Sequence, residues 1–298
     1  VKALALPGED TSLLEGAGVS VFRGDLTDRE SIRGLCEGSD TVFHLAARVT
    51  DWGAKSEFYR AIFDSTSNLL KESVSCAKRF VYVSSIAALG LGAHLKGVKE
   101  SSSPRKSGVS YNDAKADTEA LVRSYHNTGG IDCVIVRPAN VTGPGSVWVR
   151  DIVERMRDMA VPLMDGGRHS ASLVYVDSLV DGIIRAGVSP AAPGNAYHFR
   201  DDWDVSWERY IRDLGAMIGK RPRGRIPFRA AWVAGWMMEK ALTPFNVRPP
   251  VTRLAAGVMG RDNDVDTSRA RAELGWRTTA TYEEAIERIG EWVKERYA

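Results

Sequence analysis

A serine, a tyrosine and a lysine in the first half of the chain have the types and spacing needed for acid–base chemistry. Ser85 follows an apolar run typical of a buried strand, and Tyr111 and Lys115 stand four residues apart, so on a helix they share one face. A phenol ordinarily titrates near ~10, and a neighbouring positive charge favours the phenolate and lowers its pKa. The trio predicts proton transfer in an alcohol/ketone interconversion, with Ser85 holding the substrate oxygen; a hydride must come from a cofactor.

The elements around these residues alternate between strand and helix. Apolar or aromatic runs typical of strands occupy 1–6, 19–22, 41–45, 80–83 and 133–136. Helical spacing occupies 28–36, 57–77 and 111–125. This alternation predicts an α/β fold with a doubly wound parallel sheet, covered by helices on both faces.

The alternation becomes irregular after Pro138. Helices are predicted at 147–159, 207–218, 228–241 and 281–297, and short strands at 173–176 and 197–199. Asp177 is predicted to cap a helix that ends at Val188. We therefore expect a dinucleotide-binding domain over 1–143, to which 172–199 return. A smaller substrate-binding lobe over 144–171 and 200–298 would lie at the carboxyl ends of the strands, where ligands bind in open α/β folds.

Composition excludes several classes of function. The 298 residues carry a net charge of +2 without a basic block, so no nucleic-acid partner is predicted. No run approaches the ~18 uncharged apolar residues that cross a bilayer. Three scattered cysteines predict reduced thiols in a cytoplasmic protein. No metal site is predicted, because four of the histidines lack ligand spacing: His94, His126, His169 and His198.

Several motifs occur in a fixed order along the chain. They are Gly24-Asp25-Leu26-Thr27-Asp28, His44-Leu45-Ala46-Ala47, Val81-Tyr82-Val83-Ser84-Ser85 followed by Gly90, Tyr111-x-x-x-Lys115, Arg137-Pro138-Ala139-Asn140-Val141-Thr142-Gly143-Pro144-Gly145, Val174-Tyr175-Val176-Asp177, Asp266-Thr267-Ser268-Arg269-Ala270 and Glu273-Leu274-Gly275-Trp276. With them the chain resembles the extended short-chain dehydrogenase/reductase superfamily. Within it, the chain is most similar to the bacterial branch of 3β-hydroxysteroid dehydrogenase-like proteins, often labelled NAD-dependent epimerase/dehydratase. The resemblance covers the whole chain and implies a Rossmann-type sheet.

The resemblance also implies which residues hold a dinucleotide. Asp25 and Leu26 would contact the adenine ring, and Ala46 and Ala47 would line the cofactor beside its ribose and phosphates. Lys115 would hydrogen-bond the nicotinamide ribose as well as assist Tyr111. The nicotinamide end would lie against the backbone of Pro138, Ala139 and Val141. His44 is expected to be structural, since its neighbours act through their backbone.

Three features depart from that pattern. The Gly-x-x-Gly-x-x-Gly turn that receives the pyrophosphate is missing, because the run at 1–6 already matches the second strand of the family. We expect a first strand and glycine-rich turn of roughly 30 residues to be absent, so the numbering would start inside a longer protein and this chain would bind cofactor poorly. Ile62 replaces an Asn that many relatives carry. The second strand ends Ala5-Leu6, so the resemblance leaves NAD or NADP open, with a slight preference for NAD; Arg23 is a candidate for a 2′-phosphate.

Two sets of residues give different indications of the substrate. Asn140 matches the pattern of sugar-nucleotide enzymes, but Ala171 stands where those enzymes carry an arginine, and Arg168 lies three residues earlier. An apolar series at helical spacing favours a hydrophobic alcohol instead, with Trp232 and Trp236 as substrate contacts: Phe228, Trp232, Val233, Trp236 and Met237. This series would equally suit core packing, or contact with a membrane surface or partner, which Arg221, Arg223, Arg225 and Arg229 would favour.

We therefore expect an NAD(P)-dependent oxidoreductase that interconverts a secondary alcohol and a ketone on an apolar, hydroxysteroid-like molecule. One alternative is a nucleotide-sugar epimerase or dehydratase with tightly bound NAD. Another is a non-catalytic cofactor-binding or scaffold protein that kept the fold. Relatives often dimerise through the helices that flank the catalytic strand, so a homodimer through 57–77 and 111–125 is expected.

Overall fold

The structure is a computed structural model that describes residues 1–297. Its strands are β1 (Lys2–Ala5), β2 (Ser20–Arg23), β3 (Thr41–His44), β4 (Arg79–Val83), β5 (Leu95–Val98), β6 (Asp132–Pro138), β7 (Asn140–Thr142), β8 (Leu163–Met164), β9 (Leu173–Tyr175), β10 (Ala196–Phe199), β11 (Arg225–Ile226) and β12 (Asn263–Val265). Its α-helices are α1 (Ser12–Gly16), α2 (Lys55–Phe58), α3 (Ser65–Ser73), α4 (Ser110–Asn127), α5 (Val147–Asp158), α6 (Val176–Val188), α7 (Trp207–Met217), α8 (Phe228–Leu242), α9 (Arg253–Met259), α10 (Ser268–Leu274) and α11 (Tyr282–Tyr297).

The central sheet has the strand order β10-β6-β4-β3, and every pairing in it is parallel. β1 and β2 form a separate parallel pair. Within residues 1–297, no strand pairs with the free edge of β3 or with the outer edge of β1. The expectation of a first strand and a glycine-rich turn between them stays a prediction.

Both faces of the central sheet are covered, as the apolar runs predict. Successive side chains of a strand point to opposite faces, and Phe80 and Val81 accordingly belong to different clusters. Phe80 packs with Leu70 of α3 on one face, whereas Val81 packs with Ile183 of α6 on the other. The predicted parallel α/β arrangement is therefore confirmed, and it directs the carboxyl ends of β3, β4 and β6 to one edge.

Two local predictions are wrong. The helix expected over 28–36 is only a short 3-10 turn over Glu30–Ile32. The Ser31 hydroxyl donates to the carbonyls of Asp25 and Asp28, at 3.0 and 2.8 Å, and Gly34 has a φ of +78°, so neither residue supports a helix here. Asp177 does not cap α6, because the helix already begins at Val176.

The helices of the second half pack around a cluster of their own. Its buried members include Val149, Ile152, Trp207, Tyr210 and Ile289, from α5, α7 and α11. The partly buried Tyr111 and Trp232 pack against this cluster, so the second half lies beside the carboxyl end of β4. None of the helices in residues 1–297 is both long enough and apolar enough to cross a membrane. The division into two domains stays a prediction.

Candidate active site

Ser85 lies at the carboxyl end of β4, immediately before a 3-10 turn over Ile86–Leu89. Its Oγ accepts a hydrogen bond from the backbone N–H of Ala87 at 3.1 Å, which caps that turn. Because Oγ accepts that bond, the hydroxyl proton of Ser85 stays available for donation to another group. The strand therefore presents a fixed, half-buried hydroxyl at the edge of the sheet.

Tyr111 is the second residue of α4, and its ring lies edge-on to Phe58 with centroids 6.4 Å apart. Burial raises the pKa of Tyr111, and a side-chain hydrogen bond with Ser85 acts in the opposite direction. The structure thus brings together the predicted serine and tyrosine. A phenol with a raised pKa is protonated at neutral pH, which suits it to donate a proton.

The loop before α4 is tied to the first turn of the helix. The Asp113 carboxylate accepts hydrogen bonds from the N–H groups of Ser107 and Gly108, at 3.0 and 3.1 Å, which satisfies donors near the start of the helix. Asn112 donates from its side chain to the carbonyl of Arg105 at 3.1 Å. Tyr111 is therefore held by a rigid helix start rather than by a mobile loop.

Lys115 is almost fully buried, at 2% exposed, and lies one turn after Tyr111. Its Nζ donates to the carbonyl of Val83 at 2.8 Å and lies 4.8 Å from the ring centroid of Tyr82. Burial lowers the pKa of Lys115 to about 7, and the charge of Glu119 acts in the opposite direction. The expected lowering of the Tyr111 pKa by this lysine is not seen, because its ammonium is directed at β4.

The depressed pKa of Lys115 predicts a pH-dependent stability. The unfolded chain keeps this proton up to about 10.4, whereas the folded chain loses it near 7. Between these values unfolding takes up a proton, so the free energy of unfolding rises with pH by up to ~1.4 kcal/mol per pH unit. Urea unfolding of the wild type and Lys115→Met between pH 7 and 10 measures it. The wild-type curve should rise relative to the variant; parallel curves would refute the buried, titrating lysine.

A buried ion pair beneath the site was missed by the sequence analysis. Glu119 accepts hydrogen bonds from Arg137 Nε at 2.9 Å and Nη2 at 2.6 Å, and both side chains are 0% exposed. Ser84 Oγ donates to the same carboxylate at 2.7 Å. Glu119 therefore fixes α4 to β4 and β6. The available signal was spacing, since Tyr111, Lys115 and Glu119 recur every four residues on one helix face.

Apolar packing connects Tyr111 with one of the predicted cofactor residues. Ile62 and Phe58 form a buried cluster with Ala114, and Ala47 and Tyr111 both pack against it. Ile62 lies in a π-helical segment, Tyr59–Asp64, which joins α2 to α3. Such widened turns are rare and often occur at functional sites. The isoleucine thus supports the tyrosine by packing, in the place where an Asn was expected.

His44 has a structural role in this arrangement. Its Nε2 forms a 2.8 Å hydrogen bond with the Thr66 hydroxyl, and its side chain is buried. Burial, together with the charge of Lys115, lowers the pKa of His44 to about 3, so the ring is neutral at physiological pH. A neutral, hydrogen-bonded imidazole joins β3 to α3 and provides no proton for catalysis.

The predicted adenine contacts lie after β2. The Asp25 carboxylate accepts from the N–H of Thr27 at 2.8 Å, and the carbonyl of Leu26 accepts from the Asn68 side chain at 2.9 Å. Ala46 is exposed at the end of β3. Arg23, a candidate for a 2′-phosphate, instead donates to the carbonyls of Leu6 and Glu9 and to the Thr11 hydroxyl.

The residues after β6 are held by neighbouring strands. The N–H of Ala139 donates to the carbonyl of Phe199 at 2.9 Å, Pro138 is buried at the end of β6, and Val141 pairs with Val174. Asn140 is buried, and its side-chain amide donates to the carbonyl of Ala171 at 2.7 Å.

Within residues 1–297, no hydrogen bond or ion pair holds Arg168 near Asn140. Its side chain is 73% exposed, and its one carboxylate neighbour there is Asp165, 3.9 Å away. Asn140 and Arg168 therefore share no partner that would place them around one diphosphate.

The two tryptophans of α8 lie in different environments. Trp232 covers the loop after Ser85, because a Cβ added at Gly92 would lie only 3.0 Å from its ring. Gly92 has a φ of +88°, so a residue without a Cβ suits both this backbone conformation and the close approach of the Trp232 ring. Trp236, by contrast, is 50% exposed. Trp232 thus forms an apolar wall near the site, and Trp236 faces outward.

Comparison with known proteins gives one family. The sequence profile described as the NAD dependent epimerase/dehydratase family matches residues 6–199. A 4-hydroxy-2-methyl-3-oxo-4-farnesyl-3,4-dihydroquinoline-1-oxide ketoreductase of Stigmatella aurantiaca is 29% identical and covers 97% of this chain and 88% of its own length. A 3 beta-hydroxysteroid dehydrogenase/Delta 5-->4-isomerase of Mycobacterium tuberculosis is 28% identical, with coverages of 90% and 77%.

Solved structures show the same fold. A dTDP-glucose 4,6-dehydratase of Streptomyces venezuelae, crystallised with NAD and TYD bound, has a TM-score of 0.76 at 20% identity and covers 99% of this chain and 88% of its own. A UDP-glucose 4-epimerase of Thermotoga maritima has a TM-score of 0.74 at 19% identity and covers both chains fully. These likenesses confirm the predicted Rossmann-type architecture.

Proposed function

The chain belongs to the NAD dependent epimerase/dehydratase family, and we propose that it is an NAD(P)-dependent ketoreductase acting on an apolar small molecule. It would interconvert a ketone and the corresponding secondary alcohol. The observation that carries the proposal is the convergence of three side chains: Ser85 at the carboxyl end of β4, Tyr111 in the first turn of α4, and Lys115, buried one turn further along that helix and donating to Val83 of β4.

The chemistry follows from the states of these three side chains. The Ser85 hydroxyl donates to the ketone oxygen and holds it beside the Tyr111 phenol. Because burial raises the pKa of Tyr111, the phenol carries a proton at neutral pH and transfers it to that oxygen as charge develops there. Lys115 fixes the end of β4 through the Val83 carbonyl. Its remaining protons suit it to bind the ribose hydroxyls of a dinucleotide.

The residues present fit the adenine and nicotinamide parts of such a dinucleotide. Ala46 and Ala47 follow β3, Ser85 follows β4, Pro138 ends β6 and Ala139 follows it. β3, β4 and β6 are adjacent parallel strands, so their carboxyl ends lie at the same edge of the sheet. Exposed Ala46 leaves room for a ligand there. A bound dinucleotide supplies the hydride that the protein side chains lack.

The apolar wall supports a hydrophobic substrate. Trp232 covers Gly92 and contacts Phe228, with ring centroids 5.5 Å apart, and it packs against the same cluster as Tyr111. The ketoreductase and hydroxysteroid dehydrogenase relatives carry names that indicate substrates of this kind. Against a nucleotide sugar, Asn140 already donates to the Ala171 carbonyl and Arg168 is exposed.

A substrate panel tests this proposal. Because the glycine-rich turn is expected to be absent, purified protein is incubated with a high concentration of NADH or NADPH and with 3-ketosteroids, 2-alkyl-3-oxo esters or dTDP- and UDP-sugars, and oxidation of the cofactor is followed by absorbance. We expect apolar ketones to be reduced at least about 100-fold more efficiently than nucleotide sugars are converted, because an apolar wall leaves a diphosphate beside it desolvated and unpaired. Turnover confined to nucleotide sugars would reject the proposal in favour of an epimerase or dehydratase. Turnover of no compound, with cofactor bound, would favour the scaffold alternative.

The expected homodimer and cytoplasmic location belong to the same proposal. Size-exclusion chromatography with light scattering measures whether the protein is a dimer. If the dimer forms through 57–77 and 111–125, charged substitutions on the exposed faces of those helices should weaken it. Neither expectation is needed for the chemistry of Ser85 and Tyr111.

A further inference from the structure

The outer face of α8 exposes large apolar side chains. Val233, Trp236 and Met237 are 53%, 50% and 53% exposed, whereas Phe228 and Ala231 on the inner face are buried. Large apolar residues gathered on one exposed helix face mark an interaction site rather than ordinary surface. We call these three residues, with Arg229 and Lys240 on the same helix, the α8 outer face.

This face is fixed in its orientation by the inner side of the helix. The N–H of Phe228 donates to Asp165 at 2.9 Å, and the guanidinium of Arg261 lies 3.2 Å from the centroid of the Phe228 ring. A Cβ added at Gly235 would lie 2.9 Å from the backbone of Thr252 and Arg253, so α8 lies directly against the start of α9. The helix has no freedom to turn its apolar face inward.

The segment that leads into α8 and the first turn of the helix are positively charged. Four arginines precede the helix or lie in its first turn, all of them exposed: Arg221, Arg223, Arg225 and Arg229. In the part of the chain that the structure describes, none of the four forms an ion pair. The nearest acidic residue along the helix, Glu239, is turned inward and pairs with Arg253 at 2.7 Å. The apolar stripe therefore has cationic neighbours and no anionic ones on its side of the helix.

We propose that the α8 outer face docks on an anionic lipid surface. Tryptophan and methionine would enter the interface between headgroups and acyl chains, while the unpaired arginines bind lipid phosphates. The charge complementarity favours a membrane over a protein partner of ordinary composition, because the four unpaired arginines lie in the first turn of the helix or just before it, and exposed Lys240 lies near its end. Trp232, on the inner side of the same helix, covers the loop after Ser85, so docking would bring the candidate site close to the lipid. That last consequence rests on the proposed function; the docking does not.

Vesicle flotation tests the docking without substrate or cofactor. The protein is mixed with vesicles of phosphatidylcholine alone or of phosphatidylcholine with phosphatidylglycerol. We expect binding to the anionic vesicles, and we expect it to fall as salt is added, since surface charge is screened. Arg223→Gln with Arg225→Gln should weaken partitioning roughly 25-fold, at about fivefold per charge. Trp236→Ser with Met237→Ser should weaken it on the order of tenfold or more.

Ile184→Ser is the matched control. Ile184 is as exposed as Met237, at 53%, but it lies on α6, where Arg185 is already paired with Asp181. Its replacement should leave vesicle binding unchanged. All these residues are exposed, so circular dichroism should show every variant folded.

Several outcomes would overturn the docking. Flotation with neither vesicle type would do so, as would equal loss of binding in Ile184→Ser. A wild-type dimer that Trp236→Ser with Met237→Ser converts to monomers, without any vesicle binding, would assign the α8 outer face to self-association. Failure of the substrate panel together with intact vesicle binding would reject the proposed function and leave the docking standing.

Discussion

Tyr111→Phe is expected to lower kcat for ketone reduction by roughly 10²–10⁴-fold, the usual contribution of a positioned proton donor. The substitution removes only the hydroxyl, so the ring keeps its edge-on contact with Phe58 and its place in the apolar cluster. The affinity for the dinucleotide should change little, because the proposed ribose contact is made by Lys115. Steady-state kinetics give kcat and KM, and a fluorescence titration gives the dissociation constant of the cofactor.

Tyr59→Phe is a matched control for this experiment. Tyr59 packs against the same cluster, but its hydroxyl donates to Asp117 at 2.7 Å and does not face Ser85. We expect kcat to stay within a few-fold of the wild type. If Tyr111→Phe retained full turnover, proton transfer by this phenol would be excluded, whatever the substrate.

Glu119→Gln is expected to cause the largest loss of stability, about 3–5 kcal/mol in the free energy of unfolding. The amide cannot neutralise Arg137, whose side chain is 0% exposed, so bulk solvent cannot compensate for the lost carboxylate. The Ser84 hydroxyl could still donate to the amide oxygen of the variant, so the loss of stability comes mainly from the missing negative charge. Urea denaturation at neutral pH measures it as a shift in midpoint at constant slope.

A second readout distinguishes positioning from simple stability. The charge of Glu119 raises the pKa of Lys115, so its removal should move the pH-dependent step of stability to lower pH. Glu283→Gln is the control, since Glu283 pairs with Arg209 at 2.7 Å but is 72% exposed. Its unfolding midpoint should hardly change, because exposed pairs are screened. Equal midpoints for the two variants would contradict the buried pair.

The sequence by itself determined the fold class and the family. An apolar run such as Phe80–Val83 predicts a strand that is buried on both faces of the sheet, because successive side chains of a strand point to opposite faces. The four-residue spacing of Tyr111 and Lys115 specifies a common helix face without any knowledge of the rest of the protein. Short-range rules were sufficient for these elements, but not for the helix expected over 28–36, which is only a 3-10 turn over Glu30–Ile32.

The tertiary structure alone decided which charges are buried and which side chains pack beside the candidate site. Glu119 and Arg137 look like surface residues in the sequence, yet their pairing across 18 residues places both in the core. Lys115 donates to Val83, a strand neighbour 32 residues away, rather than acting on Tyr111. Trp232 and Trp236 belong to the same apolar series at helical spacing, and only the tertiary structure shows that Trp232 packs against Gly92. Burial and pKa depend on long-range contacts, which local sequence does not encode.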